Sequence, residues 1–443
     1  MSTPGLSFIV QPGGSLCGRI RVPGDKSISH RSVIFGALAN GTTEVRGFLN
    51  GADCLATIDA FRAMGVKVEH PEPTVLRIHG VGLHGLKAPA QALDVGNSGT
   101  SMRLMAGLLA GQGFAATLCG DASLTRRPMK RIVDPLTQMG ARLETSTAGT
   151  APLHIQPATG LHGIDYIMPV SSAQVKSCLL LAGLYAGGTT TVHDPGASRD
   201  HTERMLRAFG VTVTVDGACV SLQGGQALHA ARVDIPADIS SAAFFMVAAA
   251  IAPGSDLTLE TVGTNPTRIG IVEILRRMGA DIELLNARRL GDEPVADIRI
   301  RGSRPLHGAD IGADLVTLAI DEIPALFVAA ACAEGTTRIS GAHELRVKES
   351  DRIATMAAGL GAMGAELQEQ PDGAVITGGA LHGAHVQAYS DHRIAMSLAM
   401  AALRSVGEIR IDDCDNVRTS FPGFCALAQS VGLSIHEITS TID

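Results

Sequence analysis

The chain has 443 residues with 51 glycines, no tryptophan and three tyrosines, and its formal net charge at pH 7 is −7. So few aromatics argue against base-stacking platforms for nucleic acid, and any anion must be gripped by a local cluster of cations. The eight cysteines are scattered without a C-x-x-C pair, which fits reduced thiols in a cytoplasmic protein rather than a disulfide framework or zinc site.

In chain order, residues 1–11 carry neither a basic region nor a long apolar run, so no signal peptide is expected. The most apolar stretches, 242–252 and 325–333, are too short to span a bilayer, and no membrane partner is expected. One pattern then returns about six times, with closing glycines roughly 70 to 85 residues apart. It is an amphipathic run that ends in Met, Phe or Val followed by Gly: Leu55-x-x-Ile58-x-x-Phe61-x-x-Met64-Gly65, then Ile132 to Gly140, Met205 to Gly210, Ile271 to Gly279, Met363-Gly364 and Val431-Gly432. The apolar spacing predicts a helix facing a core, and the glycine predicts its left-handed stop.

A second series interleaves with the first. Its helices are apolar all round, hence buried, and each opens on polar residues. The openings are Asp25-Lys26-Ser27, Asn97-Ser98-Gly99-Thr100, Ser171-Ser172, Asp238-x-Ser240-Ser241, Asp321-Glu322 and Asp391-His392-Arg393. Ordinary capping accounts for any one of these. Six together would make an anion site if their N-termini met, because dipoles and free N–H groups add there. Each unit therefore reads as buried helix, strand, surface helix, strand. This is an α/β fold with mixed sheets, most economically three units in each of two similar domains.

Several polar groups stand out along this frame. Lys26 lies at the positive end of a helix, which is unfavourable unless an anion faces it. The run Ser123 to Arg131 is strongly basic, and Pro128 fixes Arg127 in an extended conformation ahead of a helix. The stretch Glu344-Leu345-Arg346-Val347-Lys348-Glu349-Ser350-Asp351-Arg352 is dense in both signs. A solvated web of ion pairs is one account of it; the other is an acid–base carboxylate, Glu349, between cations that hold an anionic substrate. Asp321 and Glu322 precede an apolar helix with Pro324 in its first turn. No His, Cys or Asp spacing resembles a zinc set or a nucleotide fingerprint, so neither a metal nor a cofactor is expected. The set suits small polyanionic substrates and proton transfer.

These segments resemble the EPSP synthase family along nearly the whole chain. The matching stretches are PGDKSISHR (23–31), GNSGTSMRL (96–104), RRPM (126–129), SSAQVKS (171–177), DHTERML (200–206), IDEIPAL (320–326), ELRVKESDR (344–352), DHRIAMS (391–397) and TSFPGF (419–424). Gly24-Asp25-Lys26, Ser172-Ala173-Gln174-Val175-Lys176, Arg199-x-His201-x-Glu203 and Asn265-x-Thr267-Arg268 together look like the second class of that family. The resemblance implies two inside-out α/β domains, each of three βαβαββ repeats, with the active site in the cleft between them. One domain would comprise 1–22 and 238–443, and the other 23–237.

The resemblance further implies phosphoenolpyruvate and shikimate 3-phosphate as substrates of a monomeric enzyme. Lys26, Ser27, Arg31, Ser172, Ala173, Gln174, Arg199, Asp321 and Lys348 would hold shikimate 3-phosphate. Lys26, Gly99, Arg127, Gln174, Arg352 and Arg393 would hold phosphoenolpyruvate. Asp321, Glu349 and Lys26 would be catalytic. One departure is Thr419, where better-known relatives carry a lysine on phosphoenolpyruvate; the adjacent Arg418 is expected to point elsewhere. A relative of the same fold, UDP-N-acetylglucosamine enolpyruvyl transferase, carries a reactive Cys where this chain has Ala122, and Cys119 is out of register with it.

Overall fold

The computed structural model describes residues 5–196 and 198–440. The chain divides into two compact units. One comprises Met1–Pro23, Pro236–Arg289 and Glu293–Asp443; the other comprises Gly24–Ile235 and Leu290–Asp292. Each has its own apolar core.

The two helix types predicted from periodicity are both present. Ile239–Ile251 is buried along its entire length, and so is almost all of Lys26–Leu38. Helices apolar all round have no face to give to water. Each large side chain so buried, such as Phe244, Phe245 or Met246, contributes about 1.5–3 kcal/mol. Gly270–Arg277 shows the other type, with Ile271, Val272, Ile274 and Leu275 inward and Arg276 and Arg277 exposed. The closing glycines Gly65, Gly140, Gly210, Gly279, Gly364 and Gly432 all have φ between 87° and 116°. In that region a Cβ meets the following carbonyl, so each surface helix stops where only glycine turns freely.

Among the described residues, six small mixed sheets accompany these helices, and they share one plan. In the sheet following Leu93–Asp94, the chain runs strand, buried helix Gly99–Ala110, parallel strand Ala116–Cys119, surface helix Lys130–Gln138, then the antiparallel pair Arg142–Glu144 and Leu153–Gln156. The units starting at Asp165–Ile167 and at Asp310–Ile311 repeat this βαβαββ order. The remaining sheets are completed by distant segments. Strands Leu228–His229 and Arg232–Asp234 run parallel to Ala39–Arg46. Gly5–Val10 inserts between Ser405–Asp412 and Ile435–Ser440. Cys17–Ile20 lies parallel to Asp256–Gly263. The chain leaves one unit at Pro23 and returns at Pro236. At the departure a Cβ on Gly24 would lie 1.8 Å from the Gly47 carbonyl oxygen, so no other residue fits there.

No helix among the described residues is long and apolar enough to cross a membrane.

Candidate active site

Capping chemistry sets the openings of the buried helices. Asp25, Ser98, Ser172, Asp238 and Asp391 each accept a hydrogen bond from a backbone N–H of the first turn. Glu322 is the exception: proline occupies its helix's first turn, and its carboxylate accepts from the Ser240 hydroxyl instead.

In the Gly24–Ile235 unit, side chains tie three such openings together. His30, from Lys26–Leu38, meets Thr57 Oγ1 at 2.8 Å through Nδ1 and Ser98 Oγ at 3.3 Å through Nε2. Burial, and then Lys26 and Arg31, push its pKa well below the ordinary value, so the ring is neutral. Gln174 donates to Thr100 Oγ1 at 3.0 Å and accepts from Arg103 Nη1 at 2.5 Å, which joins Ala173–Gly183 to Gly99–Ala110. The buried Arg31 reaches Thr202 Oγ1 (2.7 Å), Ser177 Oγ (2.8 Å) and the Ser27 carbonyl (3.0 Å).

Cations gather at these openings. Lys26 pairs with Asp53, itself in the first turn of Ala52–Ala63. Arg127, extended at φ −77° and ψ 141° ahead of Pro128 as expected, donates to Asn97 Oδ1 at 2.5 Å and Ser123 Oγ at 3.3 Å. A Cβ on Gly99 would lie 2.9 Å from Arg103 Nη1 and 3.2 Å from Arg127 Nη1, so glycine leaves room for two guanidiniums. Ser172 caps its helix and Ala173 begins it. Arg199 lies just ahead of His201–Ala208, in a connection held by a buried clasp. Lys176 Nζ stands 2.7 Å from Glu203, 3.4 Å from Asp194 and 3.3 Å from the Ser198 carbonyl. Asp194 also accepts from Ser171 at 2.6 Å.

The other unit gathers carboxylates around one guanidinium. Arg352, at 1 % side-chain exposure, donates to both oxygens of Asp391 (2.8 and 3.2 Å), to Glu349 Oε2 (2.6 Å) and to Asp321 Oδ1 (3.4 Å). Burial works against its charge, but Asp391, Glu349 and Asp321 outweigh burial and raise its pKa. Burial alone would raise the Asp391 carboxyl too; Arg352 beside it holds it below the usual range. Lys348 Nζ stands 3.5 Å from Asp321 Oδ1, and Arg393 donates to the Asp321 carbonyl at 2.9 Å. Arg268 donates to Ser240 at 2.7 Å and Asp238 at 3.3 Å, and the Ser240–Glu322 bond with Arg352 bridging Asp321 and Asp391 brings three helix openings together here as well. Arg418 turns to Glu437 at 3.3 Å, while the Thr419 hydroxyl donates to the Asn416 carbonyl.

Sequence reasoning gave no role to Arg103, His30 or Asp53. A buried arginine four residues past Gly99 in an otherwise apolar helix was the available signal for the first. No group of three or more His, Cys, Asp or Glu among the described residues forms a metal site.

The family model of EPSP synthase (3-phosphoshikimate 1-carboxyvinyltransferase) matches residues 10–427. This chain belongs to the EPSP synthase family. Among curated relatives, the 3-phosphoshikimate 1-carboxyvinyltransferase of Methylococcus capsulatus is 63% identical over 428 residues, covering 97% of this chain and 98% of that one. The protein of the same name from Halorhodospira halophila is 60% identical, with 97% of each chain covered. A solved structure of EPSP synthase from Acinetobacter baumannii matches with a TM-score of 0.88 and 53% identity, over 98% of this chain and all of that one. The EPSP synthase fold is thus the frame on which both clusters stand.

Proposed function

We propose that the chain transfers the enolpyruvyl group of phosphoenolpyruvate to the 5-hydroxyl of shikimate 3-phosphate. The products would be 5-enolpyruvylshikimate 3-phosphate and phosphate, formed by addition and then elimination. The observation that carries this reading is the buried Arg352, bonded at once to Asp391, Glu349 and Asp321. Asp391 fixes it from one side. Its other edges place two carboxylates in one field, ready to exchange for a substrate carboxylate.

Ser27, Arg31, Ser172, Ala173, Gln174, Arg199, Asp321 and Lys348, together with Lys26, would bind shikimate 3-phosphate. Lys26, Gly99, Arg127, Gln174, Arg352 and Arg393 would bind phosphoenolpyruvate. Helix N-termini would add to these cations. Asp321 accepts the 5-hydroxyl proton as that oxygen attacks C2, and Glu349 delivers a proton to C3. In the second step C3 loses a proton, the double bond reforms, and the bond from C2 to the phosphate oxygen breaks. Lys26 stabilises the departing phosphate.

Both sets of residues lie in one chain, which supports a single copy as the working unit. The eight unbridged cysteines support a reducing cytoplasm.

Gly99→Ala is expected to raise KM for phosphoenolpyruvate about tenfold, the equivalent of roughly 1.4 kcal/mol, because its methyl group must push a guanidinium aside. Steady-state kinetics at saturating shikimate 3-phosphate measure this, and an unchanged KM would place phosphoenolpyruvate elsewhere. Function itself is tested by phosphate release from phosphoenolpyruvate with shikimate 3-phosphate or UDP-N-acetylglucosamine as acceptor. Release is expected with shikimate 3-phosphate alone. Ala122 stands where the nucleotide-sugar enzyme carries its cysteine, and burial, aided by Asp94, raises the nearby Cys119 thiol. Release with the nucleotide sugar alone overturns the acceptor.

A further inference from the structure

Three chemistry-bearing side chains line up across the sheet of Asp165–Ile167, Thr189–His193, Cys219–Gln223 and Val213–Asp216. His193 and Cys219 are direct partners across an antiparallel pair, so their side chains share a face. Asp165 is the diagonal neighbour of His193 on the next strand, which pairs Ile167 with His193. The Cys219 sulfur lies 2.9 Å from His193 Nδ1, and His193 Nε2 lies 2.5 Å from Asp165 Oδ1. The carboxylate can only accept, so Nε2 carries the hydrogen and Nδ1 offers its lone pair to the thiol. That is the order of nucleophile, base and orienting carboxylate used to activate a thiol.

The other thiols are placed differently. Burial pushes Cys332 up to about 12 and raises Cys178, Cys414 and Cys425 as well. Cys54 is buried, and Cys17, although exposed, has its sulfur 3.7 Å from the Gly254 carbonyl oxygen. Cys219 is half-buried. The exposed Asp216 is the register partner of Cys219 on the far strand.

We propose that Cys219 is a hydroperoxide-reactive thiol, with His193 as its base and Asp165 orienting that base. The thiol proton passes to Nδ1 as sulfur attacks the distal peroxide oxygen. The S–O bond forms and the O–O bond breaks. The leaving oxygen takes the proton from the imidazolium, so Cys–SH and ROOH give Cys–SOH and ROH. Sulfur loses two electrons and the peroxide gains them.

The test is peroxide titration of the purified full chain with a dimedone trap, read at each cysteine by peptide mass spectrometry. Access alone predicts that Cys17 reacts first. The triad predicts that Cys219 is trapped at least about tenfold faster than Cys17. His193→Gln should lower the Cys219 rate about tenfold or more with Cys17 unchanged, and the exposed Asp165→Asn should lower it severalfold. Cys17 serves as an internal reference, and labelling of the buried Cys178 would flag an unfolded variant, in which case the native-chain comparison decides. Cys17 reacting as fast as Cys219, or a Cys219 rate indifferent to His193→Gln in a folded variant, overturns the proposal.

Discussion

Asp321→Asn is expected to lower kcat by about 10²–10⁴-fold, the usual loss when a general base is removed. The Asp321 backbone carbonyl, which accepts from Arg393, is kept in this variant. The carboxylate that stands 3.5 Å from Lys348 and 3.4 Å from Arg352 is replaced by a neutral amide of the same size. Binding should therefore weaken far less than turnover. Steady-state kinetics with both substrates varied separate the two effects. Near-normal kcat would remove Asp321 from the proton-transfer step.

Arg352→Met is expected to cost about 3–5 kcal/mol of stability, because removing one partner of a buried ion pair strands the other. Asp391 is fully buried and bonded to Arg352 through both oxygens. In the native chain Arg352 overrides burial and holds the Asp391 carboxyl below its usual value. Its stabilising contribution is therefore complete above the unfolded value of ~3.9 and is lost as pH falls through the lower folded value. In the variant burial and the Glu349 carboxylate act without Arg352 to oppose them, so the carboxyl rises above its unfolded value and protonation relieves the penalty. The deficit should thus be largest at neutral pH and shrink toward pH ~4. Urea denaturation midpoints across that range measure it, and a deficit independent of pH would contradict this account of Arg352.

The sixfold repeat was legible because its punctuation is steric: a helix that ends in a left-handed turn needs glycine, and Gly65 through Gly432 carry that mark in the sequence itself. The openings at Asp25, Ser98, Ser172, Asp238 and Asp391 were legible for a similar reason, since each cap reaches a backbone N–H only two or three positions away. Asp321-Glu322 has the composition of a cap, yet Glu322 bonds to Ser240, 82 residues earlier, and no local rule could show that.

Strands as short as Leu93–Asp94 and Leu228–His229 have no period to detect, so the pairings that complete each sheet were hidden. Arg103 lies in a helix whose pattern asks only for apolar residues, and its partner Gln174 lies 71 residues away. The row of Asp165, His193 and Cys219 spans three strands and needs strand register, which depends on tertiary pairing.

The central claim is that Arg199 and Lys348 each hold shikimate 3-phosphate. Calorimetric titration of shikimate 3-phosphate into the native chain, Arg199→Met and Lys348→Met tests it most directly, since each variant removes one of the two cations. The account predicts that each substitution raises Kd about tenfold or more, in keeping with the loss of one charge-assisted contact. A Kd unchanged by either substitution in a folded variant would contradict it.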